Sequence, residues 1–494
     1  MSLTTVTIDT EHPIGTINPR VYGHFAEHLG RCCYDGLRPD AAWPNVPTQM
    51  GFRTDVLEAL RALPVTMLRW PGGCYADHYH WRDGIGAPEQ RTRTLGMSCG
   101  LQVEDDNALG THEFMWLCNY LGAEPYLAGN VGSSTPQELC DWMEYCNTPL
   151  NTTLGAQRRA NGAATPFGVK LWGVGNENWG CGGEFDAVSY AHEYRRFASN
   201  LRHVDATAEL ILCGHTDEWN AKVLGAMGPQ MHLVDHLSIH RYWIEGGPET
   251  AFAEGAYYHL LDEAEATEAF IQRTTAIIDD ATGGKRRIGI ALDEWGVWHP
   301  EARPWGPDAN PRMPITYEQA NTLRDALAAA VALEGFHRQC NVLALANLAQ
   351  IVNVLQAPVM TEQAQMWLTP TYHVLRMHTV HIGAQALPVV VDGAASLPAG
   401  GSGVSATASA QGNGVAVTVI NRHLSASAEV AIAGIAGGVG ATGTLLTAGN
   451  LADGNSAAAP DAVAPAALAV HADGGNWRFQ MPAHSVATIV IGRT

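Results

Sequence analysis

Two glutamates, each at the end of an apolar run, carry most of the chemical signal in this chain. Residues 169–183 read VKLWGVGNENWGCGG, where an alternating run (Val169, Leu171, Trp172, Val174) breaks into a glycine-rich turn presenting Glu177 between Asn176 and Trp179. Residues 288–299, IGIALDEWGVWH, repeat the arrangement: Ile288, Ile290 and Leu292 lead into Asp293, Glu294 and Trp295. A carboxylate at the carboxyl end of a strand in an α/β fold stands where loops converge on a pocket. Two of them face to face can cleave a glycosidic bond. A separation of about 5 to 5.5 Å gives retention of configuration, and about 6.5 to 9.5 Å admits a water and gives inversion. An amide and an indole beside Glu177 suit a sugar, the first as a hydrogen-bonding partner and the second as a platform.

Other strand ends add polar groups that an apolar barrel would not need. Arg69 precedes Trp70-Pro71-Gly72-Gly73-Cys74, a turn that lets backbone approach a ligand. His240 and Tyr242 share one face of a strand, and Asn347 and Gln350 close another. Each has an ordinary reading as a structural hydrogen bond, and it is their coincidence at one end of one fold that favours a site. Two motifs are decoys. His24-Phe25-Ala26-Glu27-His28 has the form of a zinc-protease motif, but that needs a helix, whereas 19–24 reads as a strand and Gly23 and Gly30 bracket the segment. Glu27 is better read as a partner for substrate hydroxyls. Gly173-x-Gly175 has Asn178 where a dinucleotide fingerprint requires its third glycine.

The elements that must position these residues follow a βα rhythm from Pro19 to about Val380. Eight candidate strands (21–24, 66–70, 124–129, 169–175, 210–214, 234–240, 287–294 and 342–350) alternate with helical patterns at 54–63, 111–121, 136–145, 185–204, 263–278 and 316–338. This fits a (β/α)8 TIM barrel with long loops, with a doubly wound sheet as the alternative. Glu177 and Glu294 then close the fourth and seventh strands. After Val380 cysteine and lysine vanish, and alternating runs such as 415–420 and 477–481 between Gly and Asn turns suggest a β-sandwich. Residues 451–470 read as a long surface loop, and the isolated strand near the N-terminus pairs with the sandwich. The expected division is 1–17, 18–380 (catalytic barrel) and 381–494 (sandwich).

A formal charge of -20, from 29 Lys and Arg against 49 Asp and Glu, argues against nucleic acid or an anionic membrane as a partner. The N-terminus lacks a basic region followed by an apolar run, and no stretch approaches eighteen uninterrupted apolar residues, so a cytoplasmic protein is expected. Ten cysteines without a Cys-x-x-Cys pair are expected to be reduced and mostly buried.

The segments GHFAEHLGRCCYDG, LRWPGGCYADHYHWRDGIG, GTHEFMWLC, GAEPYLAGNVG, WGVGNENWGCGG, LDEWGVW and LAQIVNVLQAP closely resemble the intracellular α-L-arabinofuranosidases of glycoside hydrolase family 51. The likeness runs from about Tyr22 to Met377. It implies a barrel plus a β-sandwich, and a retaining exo-hydrolase that needs no metal or cofactor and releases terminal α-L-arabinofuranosyl groups from arabino-oligosaccharides. A homo-hexamer is implied as well. By the same resemblance Glu177 is the general acid/base and Glu294 the nucleophile. Asn176 bonds the sugar 2-hydroxyl, Glu27, Cys74 and Gln350 contact other hydroxyls, and Tyr242 orients Glu294. Arg69 and His240 support, and Trp298 walls the pocket. Chemistry agrees with this division, since one group must hold a proton for the leaving oxygen while the other stays ionised to attack. The sequence departs from the family pattern in two places. Gly296 replaces an Asn, and 82–113 lacks any aromatic residue, with Cys99 or a neighbour in its place, which implies a more open pocket. A retaining endo-hydrolase of β-glucan or xylan on the same barrel is the catalytic alternative. A sugar-binding protein that does no chemistry is the other, although a binder has no need of a matched pair of glutamates.

Overall fold

The computed structural model describes residues 3–493; residues 1, 2 and 494, at the ends of the first and last segments assigned above, lie outside it. Eight parallel strands close into a barrel, in order Gly23–Phe25, Met67–Trp70, Glu124–Gly129, Leu171–Val174, Glu209–Leu212, His236–Trp243, Gly289–Val297 and Leu343–Ala349. All eight overlap the segments read from the sequence, so the doubly wound alternative falls. Met67, Tyr126, Leu171, Ile211, Ala291 and Leu345 form a buried layer inside the barrel. Their strand neighbours face outward into the larger core against the helices, as the period of two requires.

The helices differ more from expectation. The pattern at 263–278 belongs to a longer helix, Glu254–Thr282, and the one at 316–338 begins only at Leu323, where Thr322 and Asp325 form a capping box. Thr153–Ala160, Asp217–Met227 and Pro370–His378 are helices that the periodicity did not single out. Each begins after a threonine whose side chain accepts a backbone N–H, a start signal present in the sequence.

Beyond the barrel lie two antiparallel-rich sheets. One holds five strands and includes Leu3–Ile8, which runs parallel to Ala428–Ala433 and antiparallel to Val389–Asp392. The other holds seven strands, among them Val404–Gln411, Gly414–Asn421 and Ser485–Arg493. Val6, Val417, Ile432, Phe479 and Ile489 fill the space between the sheets. Residues 451–470 run mostly over the surface, as read from the sequence, but they are tethered: Leu451 and Val463 are buried in the larger core, and the Leu323 and Arg324 N–H groups donate to the Asp453 and Leu451 carbonyls. The apolar residues scattered among its alanines anchor it over the start of the helix Leu323–Arg338.

Candidate active site

Glu294 owes its direction to a β-bulge. Strands six and seven pair in step as far as Ile239 and Leu292, after which His240 faces Glu294, leaving Asp293 as the extra residue. Alternation from Ala291 puts Asp293 inside the barrel, where the Tyr126 hydroxyl donates to it at 2.9 Å. Strict alternation would then turn Glu294 outward among the helices. The bulge returns it to the inner side, which is what an inserted residue does to the side chain that follows.

Glu177 reaches the same point from strand four. Gly175, at φ +91°, bends the chain so tightly that a Cβ there would lie 2.2 Å from Asn178 Oδ1. Glu177 follows at φ +40°, a left-handed conformation of the kind that clusters at functional sites. A carboxylate oxygen of Glu177, one of Glu294 and a ring nitrogen of His240 all lie within 4.8 Å of one another. This spacing is close to the about 5 to 5.5 Å of a nucleophile–acid pair, and well short of the about 6.5 Å at which a water fits between.

The groups around the pair set their charges. The Arg69 Nη1 donates to Glu294 Oε1 at 2.8 Å and its Nη2 to Asn176 Oδ1 at 2.6 Å, so one buried guanidinium ties the nucleophile candidate to the neighbour of Glu177. Tyr242 donates to Glu294 Oε2 at 2.6 Å. His240 Nδ1 lies 2.8 Å from Glu177 Oε1 and 3.6 Å from Glu294 Oε2. Burial alone would raise Glu294, but His240, Arg69 and Tyr242 outweigh it and hold the carboxyl below its ordinary range. Burial likewise opposes a charge on His240, yet Glu294 and Glu177 hold it above the usual histidine value.

Glu27 forms the floor. Its Oε1 accepts from Ser98 Oγ at 2.6 Å and the Tyr75 N–H at 3.3 Å, and its Oε2 accepts from Gln350 at 2.8 Å. Burial, and then the proximity of Glu294, push its carboxyl up to about 7. His24 and His28 do not share its face: the His28 ring stacks on Tyr75 at 4.7 Å and its Nε2 accepts from the Trp70 indole.

These side chains enclose a cavity of about 520 Å³ lined by Glu27, Cys74, Glu177, His240, Tyr242, Glu294, Trp298 and Gln350. Of the residues singled out in the sequence, Arg69 and Asn176 are not among those lining this cavity: Arg69 bonds Glu294 directly and fixes the Asn176 amide beside Glu177. Cys99, within the stretch 82–113 that lacks an aromatic, lines the cavity from the tip of the hairpin formed by Thr94–Ser98 and Leu101–Asp105, and its carbonyl accepts from the Tyr317 hydroxyl. Apolar walls come from elsewhere: Trp298 packs edge-on against Tyr242 at 5.1 Å and Trp305 at 4.9 Å, and Trp179 stacks on His215 at 3.9 Å. Trp305 was not anticipated, although a tryptophan between Pro304 and Gly306 in the loop after strand seven is a visible signal. A larger hollow, about 1060 Å³, lies on the flank of the helix Thr111–Leu121. Its one carboxylate, Glu113, is already paired with Arg91 at 2.9 Å, so the chemistry does not lie there.

The cysteine expectation needs correction. Cys74 and Cys181 form a disulfide with Cα atoms 5.3 Å apart, while the other eight are free. Separated by 107 residues, they meet only because the loops after strands two and four share one pocket. The Cys74 sulfur thus borders the cavity as half of a disulfide rather than as a thiol. Cys74, Glu177 and Cys181, and separately Glu177, His240 and Glu294, are the donor sets close enough to hold an ion among the described residues. In the first, both sulfurs are committed to each other; in the second, Arg69 and His240 already balance the carboxylates.

A closed barrel whose C-terminal mouth sets two facing carboxylates in a sugar-sized, aromatic-walled cavity defines the class of barrel glycoside hydrolases. Comparison with known proteins narrows it. Family models described as "Alpha-L-arabinofuranosidase 1 domain" and "Alpha-L-arabinofuranosidase C-terminal domain" match residues 59–259 and 293–485. An intracellular exo-α-L-arabinofuranosidase of Bacteroides ovatus is 38% identical, covering 99% of this chain and 95% of its own. The crystal structure of a family 51 arabinofuranosidase from Xanthomonas axonopodis pv. citri superposes with a TM-score of 0.91 at 33% identity, over 99% of this chain and 100% of that one. The α-L-arabinofuranosidase of Thermotoga maritima, solved as an arabinose complex, gives 0.88 at 28% identity with the same coverage. The chain belongs to glycoside hydrolase family 51, the α-L-arabinofuranosidases.

Proposed function

We propose that this protein is a retaining exo-α-L-arabinofuranosidase that releases terminal, non-reducing α-L-arabinofuranosyl groups from arabino-oligosaccharides. The observation that carries the reading is the approach of Glu177 and Glu294 to within 4.8 Å across one cavity. Glu294, held ionised by Arg69, His240 and Tyr242, attacks the anomeric carbon while Glu177 protonates the departing oxygen. Glu177 then takes a proton from the water that hydrolyses the arabinosyl ester on Glu294. Asn176 is oriented by Arg69 toward the sugar, Glu27 and Gln350 meet its other hydroxyls, and Trp298 walls the subsite. The three segments 1–17, 18–380 and 381–494 are proposed as sandwich strand, catalytic barrel and sandwich. A cytoplasmic homo-hexamer is proposed from the family resemblance, with the printed name of the Bacteroides relative supporting an intracellular location; light scattering on the purified protein tests the assembly.

The test is proton NMR of the first-formed sugar from an aryl α-L-arabinofuranoside, in parallel with the Glu177→Ala variant. Retention should be seen. The variant should lose far more rate on arabino-oligosaccharides than on activated aryl glycosides, which need little acid assistance. Inversion, or equal losses on both substrates, would refute the assignment.

A further inference from the structure

The Cys74–Cys181 disulfide joins the loop that carries Glu177, after strand four, to the loop after strand two, which packs against Glu294. Cys74 follows Gly73, whose Cβ, were there one, would lie 3.1 Å from both Glu27 Oε1 and Glu294 Oε1. That loop thus packs closely against both Glu27 and Glu294. Cys181 lies in the turn after Glu177, where the Gly180 N–H donates to the Glu177 carbonyl at 2.7 Å and Asn178 Nδ2 donates to the Gly182 carbonyl at 2.9 Å. Its sulfur stands 3.9 Å from Glu177 Oε2 and 3.7 Å from Asn176 Nδ2. Other contacts hold the turn with its glutamate at positive φ, namely Arg69 on Asn176, the Asn178 N–H on Cys213 Sγ, Trp179 on His215 and His240 on Glu177, but the disulfide is its covalent tie to the loop after strand two.

We propose that Cys181, through its disulfide with Cys74, is a positioning residue for Glu177, and that this disulfide is a redox control point on catalysis. The proposal rests on the reading of Glu177 as acid/base. Cys74 borders the cavity and Cys181 is partly exposed, so a small dithiol entering the mouth reaches the bond. One reductant thiolate attacks the Cys181 sulfur, and Cys74 leaves as a thiolate that takes a proton. The reductant's second thiolate then attacks the mixed disulfide, releasing Cys181 as a thiol and the reductant as a cyclic disulfide. The protein disulfide is reduced by two electrons and the dithiol is oxidised by two. Cys99 does not short-circuit this exchange, although its sulfur lies 4.0 Å from that of Cys74. Burial and the charges of Glu27, Glu177 and Glu294 keep it a protonated thiol, which is a poor nucleophile. In a reducing compartment a bond so placed senses redox state rather than serving only as a brace.

Steady-state kinetics of the full-length enzyme, with and without dithiothreitol, on an arabino-oligosaccharide and an activated aryl arabinofuranoside test the proposal, with alkylation and peptide mass mapping of Cys74 and Cys181. Reduction should lower kcat on the oligosaccharide by roughly ten- to a hundredfold, the scale of a catalytic group displaced by about an ångström. The aryl substrate should be affected far less, and Cys181→Ser should reproduce the reduced pattern and ignore the reductant. Wild-type enzyme with both cysteines alkylated and unchanged rates overturns the proposal, as does a disulfide that stays closed under native reductant. Equal losses on both substrates in Cys181→Ser mean a merely structural bond. If Glu177→Ala itself shows no split between the substrates, the acid/base reading fails; if only reduction shows none, the positioning role alone fails.

Discussion

At the scale of single residues, Glu294 is kept anionic in a buried setting by three partners, Arg69 from strand two and His240 and Tyr242 from strand six. His240 is the strongest of the opposing influences on its carboxyl, followed by the charge of Arg69. Because His240 favours the ionised form, His240→Gln should shift the acid limb of the kcat/KM profile toward higher pH; an unmoved limb would remove His240 from this role. Tyr242→Phe deletes the 2.6 Å bond to Glu294 Oε2. A hydrogen bond to a charged group is worth about 1.5 to 3 kcal/mol, so kcat/KM should fall by roughly ten- to a hundredfold with the fold unchanged by circular dichroism. Loss of less than about twofold would show that the bond is idle in the reaction. Both glutamates were legible in the sequence because each ends an apolar run and stands beside an aromatic residue. Cys181 was not, since nothing in a spacing of 107 residues says that two loops share a pocket.

At the scale of elements, the site depends on two departures from regular strands, the bulge at Asp293 and the turn at Gly175. Gly175→Ala combines positive φ with a clash against Asn178. A destabilisation of roughly 1 to 3 kcal/mol is expected in urea unfolding, together with a loss of turnover larger than the stability change explains, because Glu177 is displaced. Stability and activity both like wild type would contradict the account of the turn. The eight barrel strands could be read because their apolar runs are continuous and bounded by glycine and proline. The bulge could not, because the apolar pattern of 288–292 is the same whether Glu294 or its neighbour faces the cavity. The three helices without an assignment begin with threonine caps; Thr153–Ala160 buries only Gly155 and Arg158, while Asp217–Met227 and Pro370–His378 bury apolar stripes too short to stand out by periodicity, so capping was the stronger signal there.

At the scale of the molecule, the helix Leu323–Arg338 is buried along nearly its whole length between barrel and sandwich, and histidines gather at its end. His337 bonds Tyr22 and Thr407, His381 bonds Ser409 and Thr418, and their rings lie 4.9 Å apart, with His378 at 5.8 Å from His381. Burial holds all three below the ordinary histidine value, His378 at about 4. The unfolded chain takes up these protons near pH 6.5, whereas the folded one refuses them, so their stabilisation is complete above about 6.5 and declines as pH falls toward 4. Each such histidine adds about 1.4 kcal/mol per pH unit to the slope within that window. His378→Leu should flatten the acid dependence of the unfolding free energy by about one such increment, and an unchanged slope would show that the cluster does not titrate on unfolding. The change of composition after Val380 gave no sign of this buried polar seam, whose members are scattered along the sequence.

The central claim is that Glu294 becomes covalently arabinosylated while Glu177 works as its acid and base. In Glu177→Ala, an aryl arabinofuranoside with a good leaving group should load Glu294 faster than water can clear it, so the adduct accumulates. Peptide mapping by mass spectrometry should then find one arabinosyl group on the fragment containing Glu294. An adduct on another residue, or its complete absence while the aryl alcohol is released in a burst, would contradict the account.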